Sequence, residues 1–246
     1  MDMKKTLLLA SVFAVGAAFA TEFTSANALG VLQVAGSSKP KKVLLSVPFA
    51  GYGKDAKIKV SELVETSNLP AGTVLRVACD GGYYVWKLSD TKDWAPQNGD
   101  TVINIAANGQ DQNGITTPSA DAVTIGRGHS FWLELPSDTD LSHINYTLIG
   151  QQDISETSSI QLVGRKWNLV GNPNVEGYNV VAKITGTRAE GDSISVQDAN
   201  TGKLKTYRYS QIAKTWICGR TGYPQINLNK GDGCWVYVNS DASLEF

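Results

Sequence analysis

Six stretches recur in the same order across the two halves of this 246-residue chain. Lys42–Phe49 has a counterpart in Lys166–Pro173, Gly72–Val77 in Gly191–Val196, and Tyr84-Val85-Trp86 in Tyr207-Arg208-Tyr209. Trp94 answers to Trp216, Val123–Gly128 to Ile226–Gly231, and Phe131-Trp132-Leu133 to Cys234-Trp235-Val236. The offset runs from 119 to 124 through the earlier matches and falls to 103 in the last two. The first copy therefore carries about 20 extra residues, placed within about 95–120, where Gln97-Asn98-Gly99-Asp100 and Asn108–Gly114 supply turn chemistry. A chain built from one unit used twice must fold as two similar bodies, which removes most architectures from consideration.

The unit itself reads as strands. Thr73–Ala78 and Tyr83–Leu88 flank Asp80-Gly81-Gly82 as a hairpin. Ser193–Gln197 and Leu204–Tyr209 repeat that design around the longer turn Asp198–Gly202. Alternation in Ile144–Ile149 and Trp235–Val238 points the same way. A short helix is expected at Val60–Thr66, opened by Ser61 or Asp55 and stopped before Pro70. The fold class is all-β: two similar antiparallel units, sandwich or barrel-like, from an internal duplication, with at most short helices. The two copies, roughly residues 28–136 and 146–246, are expected to be related by an approximate two-fold axis. Trp132 and Trp235 should then occupy equivalent buried sites.

Residues 1–20 have the pattern of a secretory signal: Lys4-Lys5, an apolar run to Ala20, and Ala18-Phe19-Ala20 before the cut. The domain reading is a signal peptide at 1–20, a first β repeat at 21–145 and a second at 146–246. Export to the periplasm, cell surface or medium follows. No later apolar run has the length of a membrane-spanning helix, so none is expected after cleavage. The apolar segments Asn27–Val34 and Tyr146–Gln151 resemble each other and read as the opening strands of the two copies. The first, tethered at one end only, is expected to pair at home, with strand addition to a neighbouring molecule as the alternative.

Charge and residue counts narrow the function. A formal net charge of −1 leaves no basic excess for phosphates, which disfavours nucleic acid. With 2 histidines and 3 cysteines there is little material for a soft metal site, and no metal or cofactor is expected. His129 and Ser130 are adjacent and point to opposite strand faces, so they do not make a nucleophile–base pair. Glu134 shares a strand face with Trp132, a weak signal for carboxylate catalysis. Asp111-Gln112-Asn113-Gly114 carries part of a calcium-loop pattern but lacks its first ligand. Cys218 and Cys234 enclose a short loop and are candidates for a disulfide, with three buried thiols as the alternative.

Aromatic side chains are the most suggestive. Tyr84 and Trp86 cluster in one hairpin, and Tyr207 and Tyr209 in the matching one. Such amphipathic rings suit half-wet surfaces, and these four residues are the candidate ligand contacts; core filling is the competing explanation. Trp94/Trp216 and Trp132/Trp235 recur at matched places, which suits the core.

Taken in order, Lys166–Pro173, Leu69-Pro70-Ala71-Gly72-Thr73, the aromatic hairpins, Gly128–Leu133 and Gly231–Val236 resemble the repeat of a group of exported bacterial β-repeat proteins. Their units follow the motifs G-x-N-L-x-x-N-P and G-x-G-F-W-V. The match departs at Val47-Pro48-Phe49 and in the insertion. The resemblance implies export and a β fold and transfers no catalytic residue. The expected function is a non-enzymatic structural or interaction protein of the periplasm or cell surface, its partner being a further copy of itself or a surface polysaccharide. The alternative is a carbohydrate-binding module using the hairpin Tyr and Trp residues, and the third reading a glycoside hydrolase.

Overall fold

The structure, a computed structural model, describes residues 28–50, 57–80, 82–101, 115–152, 159–174, 177–199 and 201–245. The segment 1–20 predicted as a signal and the centre of the insertion, 102–114, lie outside the described residues, as does the partial calcium pattern.

The first unit contains β1 (Ala28–Ala35), β2 (Lys42–Ser46), β3 (Lys57–Lys59), β4 (Val74–Cys79), β5 (Gly82–Leu88), β6 (Trp94–Thr101), β7 (Ile115–Thr116), β8 (Thr124–Gly126), β9 (Ser130–Glu134) and β10 (Asn145–Gln152). The second contains β11 (Ser159–Leu162), β12 (Lys166–Gly171), β13 (Tyr178–Asn179), β14 (Ser193–Gln197), β15 (Leu204–Ser210), β16 (Thr215–Cys218), β17 (Thr221–Tyr223), β18 (Asn227–Leu228), β19 (Gly233–Val238) and β20 (Ala242–Glu245). Each unit has a six-stranded antiparallel sheet, β2-β9-β4-β5-β6-β7 in one and β12-β19-β14-β15-β16-β17 in the other. Two ribbons oppose each sheet: β1–β10 and β3–β8 in the first unit, β11–β20 and β13–β18 in the second. The class is all-β and duplicated, with a sandwich-like layering.

Alternating side chains explain the layers. Leu75, Trp86, Phe131 and Leu133 of the first sheet pack against Leu32 and Val34 of β1, Tyr146 and Leu148 of β10, and Ile58 and Ile125 of the short ribbon. Ile194, Trp216, Cys234 and Val236 do the same against Ile160, Leu162, Tyr178, Leu228 and Leu244. Burial of whole aliphatic side chains, about 1.5–3 kcal/mol each, holds both sandwiches together.

Tyr146–Gln151 lies in β10 and pairs in register with β1, from Ala28↔Gln152 to Ala35↔Asn145. That segment therefore closes the first unit, and β11 opens the second. Its equivalent is β20, which pairs with β11. The terminal strand thus pairs within its own chain. The expected helix at Val60–Thr66 is a single 3-10 turn, Val60–Glu62. Its counterpart, not foreseen, is a one-turn helix, α1 (Val180–Lys183).

The duplication extends to backbone detail. Gly128 and Gly231 have φ 80° and 75°, and Lys92 and Lys214 have φ 68° and 52°. A left-handed lysine is uncommon, and its recurrence at one place in both units marks a shared turn rather than a coincidence. Pairing also corrects the alignment. Leu44 faces Trp132 and Leu169 faces Trp235, so these strands correspond at an offset of 125, one more than the residue match implies. Trp86 faces Leu75 and Tyr207 faces Ile194, which makes Trp86 and Tyr207 equivalents.

The units meet through an interface that contacts itself reciprocally. Leu45 bridges to Asp232, and its equivalent Val170 bridges to His129, the equivalent of Asp232. The Ser46 N–H donates to the Gly231 carbonyl at 3.0 Å, and the Gly171 N–H donates to the Gly128 carbonyl at 2.8 Å. Contacts of the form i–j and j–i are what a two-fold axis produces. Leu44, Trp132 and Leu169 form an apolar plug between the sheets, with Trp235 and Tyr83 packed against it. Trp132 is buried and Trp235 half-buried, at equivalent positions in that plug.

Candidate functional site

The aromatic hairpins differ between the two units. Trp86 is fully buried, and its Nε1–H donates to the Pro118 carbonyl at 2.8 Å. Beside it the Val85 N–H donates to Thr117 Oγ1 at 3.0 Å, so the end of the insertion seals this rung. Trp86 is therefore core and not a ligand platform; Tyr84 is half-buried against the same core, edge-on to Trp86 at 6.1 Å.

In the second unit β17 and β18 are separated by Pro224-Gln225-Ile226, whereas the longer stretch Thr117–Val123 separates β7 from β8 in the first. Tyr207 and Tyr209 remain half-buried on one face of β15. Tyr209 packs edge-on to Trp216 at 5.6 Å, and Tyr207 edge-on to Tyr223 at 4.9 Å. The Lys205 ammonium lies 4.7 Å from the Tyr223 ring centre and 5.1 Å from that of Tyr207. Its Nζ donates to the Tyr223 hydroxyl at 3.3 Å. Contact with Tyr207 and Tyr223 raises the lysine's affinity for its proton, so the cation persists over the rings. The sequence singled out Tyr207 and Tyr209 but missed Tyr223 and Lys205. Lys205 is two residues before Tyr207 and hence on the same face, a signal that was legible.

A cleft of about 390 Å³ opens at the seam between the units. Lys57, Thr124, Gly126 and His129 line it from the first unit, and Gln161 and Trp167 from the second. His129 has its pKa lowered mainly by burial and further by Lys57, against a hydrogen bond to the Leu169 backbone. Ser130 Oγ donates to the Val170 carbonyl at 2.7 Å and serves the interface, so it is not a nucleophile held by the imidazole. At the equivalent position in the other half, Asp232 forms an ion pair with Lys39, whose side chain is 9% exposed. Trp167, 48% exposed, packs against Tyr237 at 5.6 Å.

A second, shallow depression of about 500 Å³ is lined by Glu190, Arg208, Tyr209 and Ile217 among others, and Glu190 is the one carboxylate among those lining residues. Glu134 is occupied structurally: Arg76 Nη1 donates to it at 2.7 Å and Lys42 lies 3.9 Å away. Among the described residues no three His, Cys, Asp or Glu side chains group as metal ligands.

The disulfide between Cys218 and Cys234 does not form; all three cysteines are free. Cys234 is on β19 and Cys218 on β16, with β14 and β15 between them. Three strand spacings amount to about 14 Å. A disulfide needs Cα atoms within about 7 Å. Closeness in sequence misled because the intervening segment, which carries β17 and β18, returns to the sheet on the other side of β14 and β15.

No protein-family model, no curated protein and no solved structure matches the chain. Among the described residues no helix is long and apolar enough to cross a membrane.

Proposed function

We propose that this protein is a non-enzymatic, exported interaction module of the periplasm or cell surface, and that its contact face is the open aromatic end of the second sheet. One observation carries the reading. Equivalent positions hold Trp86, sealed beneath Thr117 and Pro118, and Tyr207, left half in water beside Tyr209 and Tyr223. A duplicated chain that covers this rung once and leaves it open once has divided its copies between stability and contact.

Carbohydrate is the second reading for the partner. The three half-exposed phenol rings favour it, since each offers an apolar body and a polar tip. The test pairs light scattering of the exported chain with a broad glycan array, using Tyr207→Ala and Tyr223→Ala variants that keep the parent's circular dichroism. Self-association or glycan binding that both variants lose is the expected result. A strict monomer that binds nothing on the array, or hydrolytic turnover of a polysaccharide, overturns the proposal.

A further inference from the structure

We infer that the seam cleft beside His129 is a binding site for a small carboxylated sugar, with Lys57 facing the carboxylate and Trp167 facing the ring. The site is separate from the tyrosine face of the second unit and does not rest on it.

The argument begins with the broken symmetry of the seam. At one end of the interface the chain satisfies itself: the Asp232 carboxylate meets the Lys39 ammonium, both largely withdrawn from water. At the equivalent place His129 stands where Asp232 would be, and the cleft stays open. Its described lining includes one ammonium, that of Lys57, beside the His129 imidazole, and no carboxylate. Low-dielectric walls strengthen the attraction the Lys57 ammonium exerts on an anion relative to open water.

The remaining walls select for more than charge. Trp167 presents half its surface, with its ring steadied by Tyr237. An indole face held in place suits stacking against the apolar face of a sugar ring. Thr124 and Gln161 add a hydroxyl and an amide to the same lining, suited to ring hydroxyls. A volume of about 390 Å³ is at the small end of ligand sites, which fits a monosaccharide or chain end rather than a polymer threaded through. The walls belong to strands tied across the seam by the reciprocal backbone hydrogen bonds, so the site is formed before a ligand arrives.

The test is isothermal titration calorimetry of the full exported chain with sodium D-glucuronate, methyl β-D-glucoside and sodium sulfate. Glucuronate should bind, with the neutral glucoside weaker by tenfold or more, about the effect of one charge-assisted contact. Lys57→Gln and Trp167→Ala should each weaken glucuronate by about tenfold. Tyr207→Ala should leave glucuronate binding unchanged, which separates this site from the contact face proposed above. Glucoside binding as tightly as glucuronate overturns the inference. So does sulfate that matches glucuronate and ignores Trp167→Ala, or an absence of glucuronate binding at millimolar concentration.

Discussion

Replacing Gly171 by alanine should strain the interface between the two units, because the backbones meet there with no room for a side chain. A Cβ built on Gly171 would lie 2.3 Å from Ser46 Cβ and 2.4 Å from Ser130 Oγ. Neither neighbour has room to yield. Ser46 Cβ is fixed to a buried strand whose Oγ donates to the Asn172 carbonyl at 2.8 Å, and Ser130 Oγ is held by the Val170 carbonyl. Overpacking of this kind costs about 1–3 kcal/mol. Losing the Ser130 hydrogen bond adds about 1 kcal/mol. A destabilisation near 3 kcal/mol should lower the Tm by roughly 6–12 °C in a chain of this size. Urea denaturation followed by tryptophan fluorescence measures the free energy, and calorimetry the Tm. The sharper measurement is a double-mutant cycle with Ser46→Gly, which removes the nearest atom. The double variant should be more stable than the sum of single effects implies, by about 1–2 kcal/mol. A Gly171→Ala protein within about 0.5 kcal/mol of the parent, or a cycle with no coupling, would show that the seam is looser than these distances require.

Four further outcomes follow from the structure. Trp86→Ala should cost about 3–5 kcal/mol in urea, whereas Tyr207→Ala at the equivalent rung should cost no more than about 2, because part of its ring already faces water; equal costs would remove the distinction between sealed and open rungs. His129 has a folded pKa below its unfolded value, so its contribution to stability is complete above about pH 6.5 and declines as pH falls through that value. Tm measured from pH 7.5 to 5 should fall, and His129→Gln should flatten part of the fall; an unchanged slope refutes the assignment. Burial pushes the Cys234 thiol far up and that of Cys79 up less, so Ellman's reagent on the native protein should reach Cys79 and Cys218 well before Cys234, with three thiols titrating after denaturation without reductant. Deleting residues 21–35 exposes one edge of β10 and removes Leu32 and Val34 from the first core; the truncated chain should melt lower at unchanged oligomeric state, and an unchanged Tm would mean that β1 contributes little at home.

The two halves also show how a duplicated unit diverges without losing its fold. The rungs that pair strands kept their apolar side chains, while the changes gathered where a side chain leaves the shared core. His129 and Asp232 occupy one backbone position, yet one pairs with a lysine of its own chain and the other borders an open cleft. Trp86 and Tyr207 share a rung, and only the first is roofed. Differences of this kind are where binding functions arise on a conserved frame.

Much of the architecture is legible in the amino-acid sequence, because its causes are local. Strand identity follows from a two-residue period, as in Leu75-Arg76-Val77, and hairpins follow from Asp80-Gly81 and Asp198–Gly202, where turn residues relieve backbone strain. The duplication is visible because Trp94/Trp216 and Trp132/Trp235 keep their order along the chain. Tertiary structure alone decided the rest, since each remaining feature depends on groups far apart in sequence. The partner of β1 is more than a hundred residues away. Fifteen residues separate Cys218 from Cys234 in the chain, but two intervening strands hold them apart in the sheet. Whether an aromatic rung is core or surface depended on a segment contributed from beyond its own hairpin, as Pro118 covers Trp86. The cleft beside His129 exists only because two sandwiches meet along a two-fold seam, and no stretch of either one contains it.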